Sequence, residues 1–499
     1  MSRRALLPLA WLAAAGLAAA PAAHAQAWRV TLDARAQAVS FRGWRVDSIP
    51  ATDTVTGSGG GPATPAGDAV TCDPVSGYCR YWRPGADQRG VPTVLTTDAT
   101  MWGLGVTGLS VHANARLGGD LGGGSPWYGP DRGVELVEGY VDYDRGWLQG
   151  RAGRQVVNGR LGWWGVDGGR GWLRDTRRHL EISGYGGWGL ARSSNLTVTS
   201  SALNVLGDFQ TGRRQWAVGG TARWSATPGR AQVEYHREWS AVDGGVTVER
   251  AAFGAEMAPV GGVGLSGGAI YDLASGLWGS WDLSARAAVG RRVSATARVR
   301  QYRPLFDLWS VWQAFSPVPY HAVDGAIGVR VHRALALRAG GERYWYPNTE
   351  TETPLVTVED RGWRATLGAT WSPRSDLDVD AEWHREFGVG AYANSEQGVL
   401  TWRPRAGWSL ALSAGHLERP LDYRYDVAKL WWLGAAVDRT LTERVRFGLT
   451  LDRYDETRDR PDAAGGSWAQ ARVAARLTWL LVSGADRLPL PPGRPRRAP

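Results

Sequence analysis

The chain has 499 residues, a formal net charge of +9, 67 glycines, 28 tryptophans and a single lysine, Lys429. Much of the charge sits at the ends: Arg3 and Arg4 lie at the N-terminus, and Arg487, Arg494, Arg496 and Arg497 oppose Asp486 in the tail, which leaves the body near +4. That balance is too weak to imply nucleic acid as a partner, and the scarcity of Leu-rich amphipathic stretches argues against a helical protein.

The first 25 residues read as a signal peptide. Arg3 and Arg4 supply a charged start, Ala5 to Ala20 a short apolar run, and Ala23-His24-Ala25 a small-residue cleavage site, so the mature chain is expected to begin at Gln26. Beyond it no apolar run reaches the ~20 residues of a membrane helix, and the mean hydropathy is −0.29. Neither observation bears on a membrane β-barrel, whose strands alternate over about 10 residues and average out in a hydropathy window.

Alternation begins at once. Over Trp28 to Arg42, the apolar Trp28, Val30, Leu32 and Ala34 oppose Arg29, Thr31, Asp33 and Arg35. Because this strand follows the leader directly, the globular plug of a TonB-dependent transporter is not expected ahead of the barrel. Asp47 to Gly90 reads as a long Gly/Pro/Thr-rich loop carrying Cys72 and Cys79. In a secreted chain this close spacing predicts a disulfide. A metal site would need further ligands nearby, and none is present in the sequence around them.

Arg116 falls on the polar face of the next alternating stretch. The stretch Asp144 to Gly159 contains Gly153-Arg154-Gln155 and resembles the alginate-export family of porin-type barrels, in which a strand ends in a similar Gly-Arg-Gln. The resemblance implies an outer-membrane channel for small or anionic solutes, with Arg154 as a lumen residue and no catalytic residue. Asn158 to Arg177, rich in Gly, Trp and Arg, does not fit a simple meander.

Further along, Ala231, Val233, Tyr235 and Trp239 share a face with Arg237, and Gln232, Glu234, His236 and Glu238 share the other. Arg298 and Arg300 lie on one polar face, and Arg338 on another. Leu377, Val379, Ala381 and Trp383 oppose Asp378, Asp380, Glu382 and His384. Val445 to Asp452 and Ala469 to Trp479 repeat the pattern, with Arg446, Arg472 and Arg476 on polar faces. Short turns such as Ala226-Thr227-Pro228-Gly229, Gly290-Arg291-Arg292 and Pro404-Arg405-Ala406 alternate with longer polar connections at Pro347 to Glu359, Gly388 to Ser395, Glu418 to Asp426 and Glu456 to Gly466. Trp224, Trp239, Trp345, Trp371, Trp402 and Trp408 gather near strand ends, as in an aromatic girdle. Short turns on one rim and long loops on the other mark an up-and-down transmembrane barrel of residues 26–481. The expected strand number is even and about 18–22. Residues 482–499 form a Pro/Arg tail expected to be disordered.

One connection differs from the rest. Pro304 can open a helix, and Leu305, Leu308, Val311, Trp312 and Phe315 then follow helical spacing up to Pro317, with Trp309 beside them. An apolar helix on the 303–320 loop predicts a constriction folded into the barrel mouth or, equally, simple loop packing. The charged residues on the polar faces predict a water-filled lumen in which the arginines either attract anions or pair with the carboxylates. Asp378, Asp380 and Glu382 recur about 6.6 Å apart along one strand face, too widely for one calcium ion. His112, His236 and His384, with Ser409 or Ser413, could be nominated for a hydrolase triad, but no local motif marks a nucleophile. The expectation is therefore a non-enzymatic, porin-like channel without cofactor or metal. Its partners would be outer-membrane lipid, the barrel-assembly machinery during insertion and a small hydrophilic solute. A structural or adhesive barrel acting through its loops is the rival.

Overall fold

The computed structural model describes residues 27–57, 60–122, 133–190, 215–241, 244–303, 319–347, 360–388, 391–418, 427–459 and 468–483. The expected signal peptide, the Leu305–Phe315 helix and the tail beyond residue 483 lie outside them.

Twenty-two antiparallel strands close into one barrel. In chain order they are β1 (Ala27–Pro50), β2 (Pro92–Trp102), β3 (Leu109–Asp120), β4 (Gly133–Asp144), β5 (Leu148–Gly159), β6 (Gly162–Asp175), β7 (Leu180–Leu190) and β8 (Gln215–Ala226). There follow β9 (Gly229–Ser240), β10 (Val246–Val260), β11 (Val263–Asp272), β12 (Leu277–Val289), β13 (Val293–Tyr302), β14 (Tyr320–His332) and β15 (Leu335–Trp345). The circuit ends with β16 (Arg361–Arg374), β17 (Leu377–Gly388), β18 (Ala391–Trp402), β19 (Trp408–Glu418), β20 (Val427–Thr442), β21 (Val445–Asp459) and β22 (Trp468–Ser483). Each strand pairs with its chain neighbours. Closure is made by β1, whose Trp28 to Val39 run against Ser483 to Arg472 of β22 while its Ala27 to Ala36 run against Trp102 to Thr93 of β2.

The strands form for the reason the alternation predicts: one face meets lipid and the other water. Leu283, Leu337, Leu367 and Leu433 are among the exposed outward residues, an exposure that only a lipid solvent makes favourable. The strands close into a ring, so that no sheet edge is left open along most of the wall, which is what a sheet in hydrocarbon requires. A strand of about 12 residues tilted at about 40° spans about 30 Å. A closed ring of this size with an apolar outside is the architecture of an outer-membrane β-barrel. Two-residue turns at residues 227–228, 261–262, 333–334, 375–376 and 443–444 join strands on the rim that also carries Ala27 and Ser483. The longer connections lie on the opposite rim.

Two expected loops are partly strand. The cysteine-bearing loop is shorter than Asp47 to Gly90, because β1 continues to Pro50 and pairs with a further strand, Tyr78–Gly90, in a register from Ser40↔Arg89 to Pro50↔Tyr78. About 11 residues of this ribbon make an arm of about 35 Å beyond the β1–β22 pairing. Cys72 and Cys79 are paired across its tip and form a disulfide. Gly388 to Ser395 is likewise mostly strand, since Gly388 pairs with Ala391 and His384 with Ser395. In both places alternating residues continue through Gly and Pro positions that read locally as loop, and ladder pairing overrides that local signal.

Candidate functional site: an inward-folded hairpin in the lumen

Most of the inner wall is an ordinary charged surface. Arg298 Nε donates to Asp324 at 2.9 Å. Arg300 pairs with Glu342, which also accepts from Tyr320 and, at 2.6 Å, from Arg364. Arg338 forks onto Asp380 at 2.7 and 2.8 Å and reaches Glu382 at 3.1 Å. Asp378 accepts from Ser372 at 2.6 Å and Arg403 at 2.5 Å. Arg476 donates to Asp33 at 2.6 Å, and Arg472 donates to Gln470 at 2.5 Å and lies over the Tyr454 ring. Arg116 pairs with Glu135. Arg446 is exposed. Of the two readings open in the sequence, Arg116, Arg298, Arg300, Arg338 and Arg476 adopt pairing with carboxylates.

The histidines are placed separately. His112 Nδ1 lies 3.1 Å from the Thr100 hydroxyl, and His384 Nδ1 lies 3.3 Å from that of Thr366. His236 belongs to a different arrangement, for which no local motif in the sequence prepares.

At β5 and β6 the wall folds into the barrel. The β4–β5 ladder runs from Asp144↔Gln149 only to Gly139↔Arg154, although β4 continues up to Gly133. Beyond Arg154 the strand leaves β4 and turns inward with β6, to which it stays paired as far as Gly159↔Gly162, while β6 stays paired with β7 as far as Gly165↔Leu190. Side chains replace the missing ladder. Glu138 accepts the backbone N–H of Val156 at 3.1 Å, and Arg154 Nη1 donates to the Leu136 carbonyl at 3.0 Å. The bend needs glycine at two points. Gly153 has φ +127°, and a Cβ there would collide with the Gly139 carbonyl; a Cβ on Gly168 would collide with the Gly186 carbonyl.

The tip lands on the inner face of β9 to β12. Trp164 stacks on His236 with ring centroids 3.6 Å apart, and His236 Nδ1 lies 2.6 Å from the Tyr185 hydroxyl. Its Nε2 lies 3.2 Å from a Glu238 oxygen. The Glu234 carboxylate accepts the backbone N–H of Arg160 at 2.9 Å and of Leu161 at 3.1 Å. The Arg160 guanidinium passes over Gly268 and pairs with Asp282 of β12. His236 and Val166 are fully buried, and Trp164, Val157 and Glu234 nearly so. The residues that receive the tip are inward ones, since their strand neighbours Val233 and Phe253 are about half exposed on the lipid side.

Why this hairpin folds in is written in its parity. On β5 the inward positions are Gln149 and Arg151 below the bend but Gln155 and Val157 above it; on β6 they are Arg170 and Trp172 below but Val166 and Trp164 above. The outward positions above the bend carry Arg154, Asn158 and Asp167 beside Val156 and Trp163. A straight hairpin would put the apolar set in lumen water and the charged set toward lipid. Folding over buries Val157 and Val166 against Tyr185 and Ala217, and Trp164 against His236, each gaining roughly 1.5–3 kcal/mol. It also leaves Arg154 and Asp167, paired at 2.8 Å, on the hairpin face that looks away from the wall. The irregularity of Asn158 to Arg177 noted in the sequence is this element, and the reversal of alternation after Gly153 is the signal that locates it.

No family model matches the chain, and no curated protein matches it; the alginate-export resemblance is thus not supported by these comparisons. Similar solved structures are barrels at low identity. The ferric enterobactin receptor of Pseudomonas aeruginosa is 10% identical, with a TM-score of 0.46 over 93% of this chain and 82% of the receptor chain. The P pilus usher translocation pore is 9% identical, with a TM-score of 0.40 over 90% of this chain and 99% of the usher chain. Salmonella typhi OmpF is 12% identical, with a TM-score of 0.34 over 54% of this chain and 91% of that porin.

Proposed function

We propose that the protein is a porin-like channel for passive diffusion of small hydrophilic solutes, with its aperture narrowed by the β5–β6 hairpin. One observation carries the reading: a strand hairpin turned into a lumen whose wall is otherwise charged and ion-paired. Barrels of 16–18 strands already leave an aqueous channel, and a lumen of 22 strands is wider still unless something occupies it. A hairpin docked by stacking, two backbone hydrogen bonds and an ion pair narrows such a lumen without a separate domain. The paired charges keep the wall wetted while cancelling much of its field. The hydroxyls beside His112, His236 and His384 are those of Thr100, Tyr185 and Thr366.

Purified protein in a planar bilayer should show stepwise conductance that is ohmic at low voltage. Absence of any conductance from correctly folded barrels would favour the structural reading, in which the projecting β1 arm carries the function.

A further inference from the structure

Among the inward-facing arginines of the hairpin sector, Arg170 stands apart. It lies on β6 two residues below Gly168, beside the point where β5 leaves β4. Its register partners are Arg151 on β5 and Tyr185 on β7, so two guanidinium-bearing residues stand directly opposite each other across one ladder. Like charges in that position repel, which makes the pairing a cost unless something else uses it.

Both groups are held by aromatic faces. The Arg170 guanidinium carbon is 4.4 Å from the Trp172 ring centroid, and that of Arg151 is 5.5 Å from the same ring and 3.9 Å from that of Tyr140. Two cations thus stand over a single indole. The nearby carboxylates are committed elsewhere. Asp142 accepts from Arg151 at 3.0 Å, Asp144 and Glu181 pair with Arg174 at 3.5 and 2.9 Å, and Glu181 also faces Arg223 at 3.8 Å. Four guanidiniums share three carboxylates here, and Arg170 has no carboxylate partner among the described residues. Its Nε is buried without a hydrogen bond. A buried donor left unmade costs free energy, and a planar guanidinium fork matches the oxygens of a carboxylate or phosphate.

We propose that Arg170 and Arg151 form an oxyanion-binding subsite on the lumen wall beneath the hairpin, which takes the carboxylate or phosphate group of a small solute. Trp172 and Tyr140 fix the two guanidiniums, so little side-chain freedom is lost on binding. Occupancy of the subsite is independent of the channel reading, whereas its effect on ion selectivity rests on that reading.

The test uses the full chain in detergent, titrated separately with inorganic phosphate and with succinate by calorimetry. Saturable binding of at least one anion at a single site is expected, and the better of the two identifies the headgroup. R170Q should weaken it at least tenfold. R170K, which keeps the charge but loses the fork, should fall between, and it also serves if R170Q does not fold. R298Q, which removes an arginine from an ordinary wall pair, should bind as the parent does. No saturable binding by the parent, or equal binding by the parent, R170Q and R170K, overturns the subsite. In bilayers under a KCl gradient, R170Q should shift the reversal potential toward cation preference. Intact anion binding by a protein that never conducts would keep the subsite and refute the channel.

Discussion

Two sectors of the same wall use the same backbone and end in opposite places. In β15 to β17, Arg338, Asp380 and Glu382 face inward while Leu337, Leu367 and Trp383 face outward, and the parity holds from rim to rim. In β5 and β6 the ladder keeps one register, but beyond Gly153 and Gly168 the inward positions carry Val157, Val166 and Trp164 in place of arginines. The first sector stays in the wall and the second folds into the lumen. Alternation by itself therefore specifies strand. The side on which the apolar set falls specifies where the strand goes, because a one-residue change of phase moves every side chain to the other solvent.

Removing the hairpin tip should break the contrast most strongly. Replacing residues 156–166 with an Asn-Gly turn leaves the β5 and β6 stems but takes away Val157, Trp164 and Arg160. Single-channel conductance should rise several-fold, and larger uncharged solutes should pass in liposome swelling. A deletion variant that conducts as the parent does would mean that the hairpin is not the constriction.

A smaller effect is expected from loosening the dock while keeping the hairpin. Glu234→Ala removes the acceptor for the Arg160 and Leu161 amides, and each unsatisfied donor costs about 1–3 kcal/mol. Open-channel noise should grow as the tip detaches and returns, with mean conductance between those of the parent and the deletion. Quiet recordings at the parent conductance would show that stacking of Trp164 on His236 and the Arg160–Asp282 pair suffice.

The ordinary sector should respond least. Arg338 and its carboxylates are about one third to nearly half exposed, and ion pairs in such surroundings are worth about 0–1 kcal/mol. Arg338→Ala should leave thermal unfolding within a few degrees of the parent and move selectivity modestly toward cations, as Asp380 and Glu382 lose their countercharge. A collapse in stability would show that this wall is held by its ion pairs and not by its ladder.

Much of the fold was legible in the linear chain. The strand alternation, an even strand number in the right range, the short and long rims and the Cys72–Cys79 pair all follow from local pattern, because lipid and water sort side chains with a period of two residues. The mixed charges of the polar faces were legible too. Their pairing was not, since Arg338 meets Asp380 from a strand more than forty residues away. The expectation of a constriction fell on Leu305, Trp309 and their neighbours, which lie outside the described residues, and the inward fold of β5 and β6 was not foreseen. That choice depends on long-range partners: Glu234 lies 74 residues from Arg160, and Asp282 lies 122. Nothing local to Asn158 to Arg177 reveals that His236, Glu234 and Asp282 will stand in a row to receive it. The sequence alone determined that these strands form and which residues share a face. Only barrel closure, which sets distant strands across one lumen, decided that the reversed face of the hairpin would have a wall to bury against.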